Sequence, residues 1–136
     1  MRLRGRDSGA ATITTVIMAT SWIVMLAFVV VGGGRIRALQ RADNVAAEAA
    51  RAAGSAIDAS RAVPGEAQVV APAAAQQAAT EYMNAVGATG TVTVDSTGKS
   101  LTIVVKITYA NPTGMAFFGG ATWDATGEAK VTLLVE

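Results

Sequence analysis

The side chains able to do acid–base or nucleophilic work are few and far apart. Asp58, Glu66 and Glu81 are scattered along stretches of helical character and Asp95 falls among turn residues, so no carboxylate pair has the makings of a general acid and base. The chain has no histidine and no cysteine. That removes imidazole bases, thiolate nucleophiles, disulfides and zinc sites built from the usual ligands. Three consecutive glycines, Gly32, Gly33 and Gly34, do not make a phosphate loop, because no Lys-Ser or Lys-Thr follows and no strand precedes. They also lack the spacing of a GxxxG packing motif. The net charge of +1 argues against a nucleic-acid binder that works by neutralising phosphates. The expectation is a protein that is not an enzyme, with no cofactor and no metal.

The elements are more informative than the charges. The 136 residues are 51% apolar and only 15% charged, against about 25% charged in an average soluble chain. The deficit is concentrated in residues 10–34, which carry no charge. Residues 13–31 are long enough to cross a hydrocarbon layer about 30 Å thick as a helix. The hydroxyls of Thr12, Thr14, Thr15, Thr20 and Ser21 are tolerable there because they can bond back to helical carbonyls. A cleaved secretory signal is the competing reading, since Arg2, Arg4 and Arg6 form a basic leader. The apolar run is too long for that, and Arg35 and Arg37 follow it where a small-x-small site should stand. Residues 1–9 are therefore expected as a basic cytoplasmic leader and residues 10–34 as a transmembrane helix. Arg2, Arg4 and Arg6 before the span match Arg35, Arg37 and Arg41 after it, so the basic count leaves orientation undecided. The soluble character of the larger C-terminal part favours placing it outside the cell.

Beyond residue 34 the pattern predicts that the helix continues to about residue 62, with a bend at the three glycines. Its inward stripe is expected at Ile36, Leu39, Ala42, Ala46, Ala49, Ala53 and Ile57, in steps of three or four. Alanine adds intrinsic helix propensity. Pro64 and Gly65 should end the rod. A second helix should start near Pro72 and run past Tyr82 and Met83 to a stop at Gly87. From residue 90 the period becomes two: Val92 and Val94, a turn at residues 95–98, then Leu101, Ile103, Val105, Ile107 and Tyr109, and a third strand with Ala129, Val131, Leu133 and Val135 inward. The fold class is thus α+β, a long N-terminal helix carrying a three-stranded antiparallel sheet, with residues 63–136 as a head packed on residues 35–62. Between the last two strands, residues 111–124 read as a loop carrying Met115, Phe117, Phe118 and Trp123. These four side chains either plug the end of the sheet or form a patch for a partner subunit or the membrane surface.

One combination of segments resembles a known family. Arg6-Asp7-Ser8-Gly9-Ala10-Ala11-Thr12-Ile13, an apolar span, Gly33-Gly34-Arg35, and Asn44-Val45-Ala46-Ala47-Glu48-Ala49-Ala50-Arg51-Ala52-Ala53 together look like the TadE-like proteins of tight-adherence type IV pilus systems. The likeness is strongest over residues 6–62, and the alanine- and valine-rich composition also resembles that of actinobacterial chains. It implies a structural minor pilin or pseudopilin, single-pass in the cell membrane, with its head extracytoplasmic or in a cell-surface pilus. The implied partners are the membrane, other pilin subunits, the pilus assembly platform and a prepilin peptidase. In such proteins the peptidase cuts after a glycine at the cytoplasmic edge of the span, and the matching bond here is Gly9–Ala10. Family members commonly carry glutamate at the fifth mature position, where it can pair with a neighbour's new amino terminus. Here that position is Thr14, so this pairing is unavailable. The rival expectation is a single-span, membrane-anchored extracellular binding module that joins no filament.

Overall fold

The computed structural model describes residues 7–56, 71–114 and 119–133. Helix α1 (Asp7–Ser55) is followed by helix α2 (Pro72–Ala85) and strands β1 (Thr89–Val94), β2 (Ser100–Ala110) and β3 (Thr122–Thr132). The sheet order is β1-β2-β3, antiparallel throughout, and both helices pack on one face of it. The fold is α+β with a long apolar N-terminal helix, as the sequence periods predict.

Helix α1 has 49 residues, a rod of about 74 Å at 1.5 Å per residue. It runs unbroken through Gly32, Gly33 and Gly34. The described helix closes at Ser55, with Ala56 no longer helical, and residues 57–62 of the expected extension lie outside the described residues. The local reason is the Gly54-Ser55 pair. Glycine weakens a helix, the Ser55 hydroxyl bonds to the Ala52 carbonyl, and the Ala56 amide takes a tighter bond to Ala53. Ile57, Asp58, Pro64, Gly65 and Glu66 lie outside the described residues.

The inward stripe of α1 also differs from the expected one. Ala38, Ala42, Val45, Ala46, Ala49, Ala50 and Ala53 are buried, whereas Ile36 and Leu39 are exposed. The sheet meets the helix through small side chains that let the two backbones come close, and the bulkier residues are turned away. Helix α2 uses Pro72 in its first turn and buries Ala75, Ala79 and Met83 against the same core.

The central strand β2 supplies the largest fully buried side chains, Leu101, Ile103 and Val105. Register explains how they fit. Leu101 lies between Val94 and Val131, Ile103 between Val92 and Ala129, and Val105 between Gly90 and Gly127. The flanking residues shrink along the sheet, so β3 offers a shallow trough to α1. At the β1–β2 turn the Asp95 amide bonds to the Ser100 carbonyl and the Gly98 amide to the Asp95 carbonyl, both at 2.8 Å. The Thr97 hydroxyl donates to the Asp95 carboxylate at 2.7 Å and, with the Ser96 amide, holds that carboxyl below its ordinary value.

Strand β3 begins at Thr122, so the expected loop is shorter and Trp123 belongs to the sheet, opposite Tyr109. The turn-rich sequence of residues 111–121 concealed this because Thr122, Trp123 and Asp124 continue the alternation only once paired with β2. Asn111 holds the remaining loop closed. Its backbone amide bonds to the Ala121 carbonyl and its side chain donates to the Gly120 carbonyl at 3.0 Å. Its side-chain oxygen accepts from the Thr113 amide and hydroxyl.

Candidate functional site: the apolar segment and its junction with the head

Two structural regions divide α1. From Ile13 to Val30 the large apolar side chains all point outward, with Ile23 67% and Trp22 61% exposed. Val31 is the first buried residue, at 6%. The helix is long and apolar enough to cross a membrane. Its hydroxyls are satisfied within the helix: Thr14 donates to the Ala10 carbonyl at 3.0 Å, Thr15 to Ala11 at 2.9 Å, Thr20 to Val16 at 2.8 Å and Ser21 to Ile17 at 2.8 Å. This is the back-bonding that makes serine and threonine affordable in hydrocarbon.

Of the residues singled out for processing, Gly9 and Ala10 occupy the first turn of α1 and Thr14 the next, all exposed. The Gly9–Ala10 bond is therefore helical, and a protease that needs an extended substrate must first unwind that turn. The Thr14 hydroxyl is committed to its own helix. Of the four large side chains placed between the last strands, Met115, Phe117 and Phe118 lie outside the described residues. Trp123 is half-buried beside Ala38, Ala42, Ala125, Ile107 and Tyr109, which form a second, smaller core at the membrane-proximal end of the head.

That lower core is where rod and head are locked. The Arg35 guanidinium lies 5.5 Å from the centre of the Trp123 ring and donates to the Gly119 carbonyl. Tyr109 packs onto α1 at Gly34, where any Cβ would overlap its ring and hydroxyl. Two turns further up, a Cβ at Gly127 would overlap the Ala42 carbonyl and the Asp43 amide, so strand and helix backbones touch there. Sequence reasoning missed Gly127 and Gly34 as docking points. The available signal was a glycine inside an alternating strand, which marks a close backbone approach.

The Tyr109 hydroxyl is buried with no hydrogen-bond partner among the described residues. An unmet buried donor costs about 1–3 kcal/mol. Tyr109→Phe is accordingly expected to leave the thermal midpoint of the head unchanged or raise it by up to a few degrees in a micelle-embedded full chain. A clear fall would show that the hydroxyl has a partner.

Among the described residues there is no group of three metal-ligating side chains. Asp124, on the outer face of the sheet, accepts from Lys106 at 2.7 Å and from the Thr108 hydroxyl at 2.8 Å. These two contacts, the lysine first, hold its carboxyl below the ordinary aspartate value. Their contribution to stability is present at neutral pH and is lost as pH falls through that lowered value. No protein-family model, curated protein or solved structure matches the chain.

Proposed function

We propose that this chain is a membrane-anchored structural subunit of the TadE-like minor pilin or pseudopilin kind, non-catalytic, with its head on the extracytoplasmic side. The observation that carries the reading is the helix α1, whose large apolar side chains from Ile13 to Val30 are exposed and whose second half is the spine of the head. Such a rod anchors itself in lipid and transmits its position to the head without a flexible linker. The ordered resemblance over residues 6–62 supports the pilin assignment, and the Gly9–Ala10 bond is its proposed processing site. N-terminal sequencing of protein extracted from native membranes should read from Ala10. A start at Met1 would remove the peptidase from the list of partners.

The rival, an anchored binding module, has one observation in its favour. Ala42, Ala46, Ala49 and Ala53 are fully covered by the chain's own head, so most of the stripe is unavailable to neighbouring subunits. Among the described residues, what remains for them is Ile36 and Leu39. The chain has no cysteine, so Ile36→Cys and Leu39→Cys place unique cross-linking sites on that face. Cross-links to other membrane or filament subunits in native cells support the pilin reading, and an exclusively monomeric product supports the module.

A further inference from the structure

We infer that the wedge between α1 and β2, at the end of the head nearest the apolar segment, binds the anionic headgroups of phospholipids in the bilayer that α1 spans. The inference rests on the membrane-spanning reading above and adds to it a lipid class and the side chains that recognise it.

A cleft of about 310 Å³ opens there, lined by Gly34, Arg37, Ala38, Arg41, Thr108 and Tyr109 among others, with no acidic residue in its wall. Arg37 and Arg41 are one helical turn apart and point from the same face. Neither has an ion-pair partner among the described residues, whereas Arg51 is paired with Glu48 and Lys106 with Asp124. An adjoining cleft of about 290 Å³ shares Arg41 and Thr108 and adds Lys106. Lys106 is already neutralised by Asp124, the nearest carboxylate, which also takes the Thr108 hydroxyl. The uncompensated positive charge is therefore that of Arg37 and Arg41.

Height along the rod selects the occupant. Counting from Val31, Arg37 lies about 9 Å and Arg41 about 15 Å further along the axis. The headgroup layer begins where the hydrocarbon ends and is several ångströms deep. Helical side chains tilt toward the N-terminus, so both guanidiniums lean back toward the apolar segment and their long stems can reach phosphate level. Trp123 and Tyr109 are at the same level, half-buried and amphipathic, as residues at a membrane interface are. A phosphodiester offers the paired oxygens that a guanidinium fork fits.

The test uses the full chain reconstituted in phosphatidylcholine vesicles containing phosphatidylglycerol, with Arg2, Arg4 and Arg6 changed to glutamine so that the leader cannot contribute. Electron spin resonance with spin-labelled phosphatidylglycerol and phosphatidylcholine measures which lipid the protein holds. Preference for the anionic lipid is expected, falling about fivefold per arginine removed in Arg37→Gln and Arg41→Gln, and only partly restored in Arg37→Lys with Arg41→Lys, which keeps the charge without the fork. Unchanged preference in the glutamine variants overturns the site. Loss of preference on adding millimolar inorganic phosphate overturns the lipid as its occupant. If alkaline carbonate releases the chain from the vesicles, the membrane-spanning reading itself has failed; insertion without headgroup preference defeats this inference alone.

Discussion

Gly127→Val should unseat the sheet from α1 while leaving the apolar rod helical. At this position the Cβ would occupy the space of the Ala42 carbonyl and the Asp43 amide, and both belong to the backbone of a helix that cannot give way locally. Overpacking a core ordinarily costs about 1–3 kcal/mol. Here the obstacle is a main chain held by its own hydrogen bonds, so the upper end of that range or more is expected, a large part of the stability of a small head. Gly34→Ala should cost less, because what it meets is the far end of the Tyr109 side chain, which can swing. Gly33→Ala, with no atom within 4 Å of the added methyl, should gain several tenths of a kcal/mol from helix propensity. Hydrogen exchange of the full chain in micelles would read all three. Fast exchange of β2 and β3 amides with protected amides in α1 is the expected signature of Gly127→Val, and native protection throughout would refute the backbone contact.

The second large effect concerns the anchor. Ile23→Arg combined with Leu26→Arg puts two charges on one face of the apolar segment, at side chains 67% and 61% exposed that touch nothing in the head. Each arginine near the centre of a span costs about 2.5–3.5 kcal/mol of insertion, so the pair should cost about 5–7 kcal/mol. The chain should then fail to resist alkaline carbonate extraction from membranes. The head should keep its fold, because the first buried residue of α1 is Val31. Retention of the double variant as an integral protein would count against residues 13–31 as the membrane-crossing segment. Together the two variants separate the rod's halves, one disabling the head and sparing the anchor, the other the reverse.

Much of this was legible from local pattern. The charge-free run, its hydroxyls bonding back to their own helix, Pro72 opening α2, the Asp95 turn and the alternating face of β2 all depend on interactions within a few residues. Periodicity and turn chemistry report those directly. The stripe on α1 was legible only in part, because a pattern search follows large apolar residues and so selected Ile36 and Leu39. The sheet needed small ones and took Ala38 beside the expected Ala42, Ala46, Ala49 and Ala53. Trp123 reads as a loop residue for a related reason, since its strand character comes from pairing with Tyr109 across the hairpin.

By itself, then, the sequence determined an apolar rod, an α+β head and the absence of histidine and cysteine chemistry, because composition and short-range period are properties of the chain. Tertiary structure decided which face of the rod the head covers, where helix and strand backbones touch at Gly127, how Arg35 meets Trp123 and Gly119, and that Arg37 and Arg41 share an unneutralised cleft beside β2. Those outcomes depend on residues some 70 to 90 positions apart finding one geometry. Burial and close packing choose among many sequence-compatible arrangements only once the whole surface of the sheet is in place.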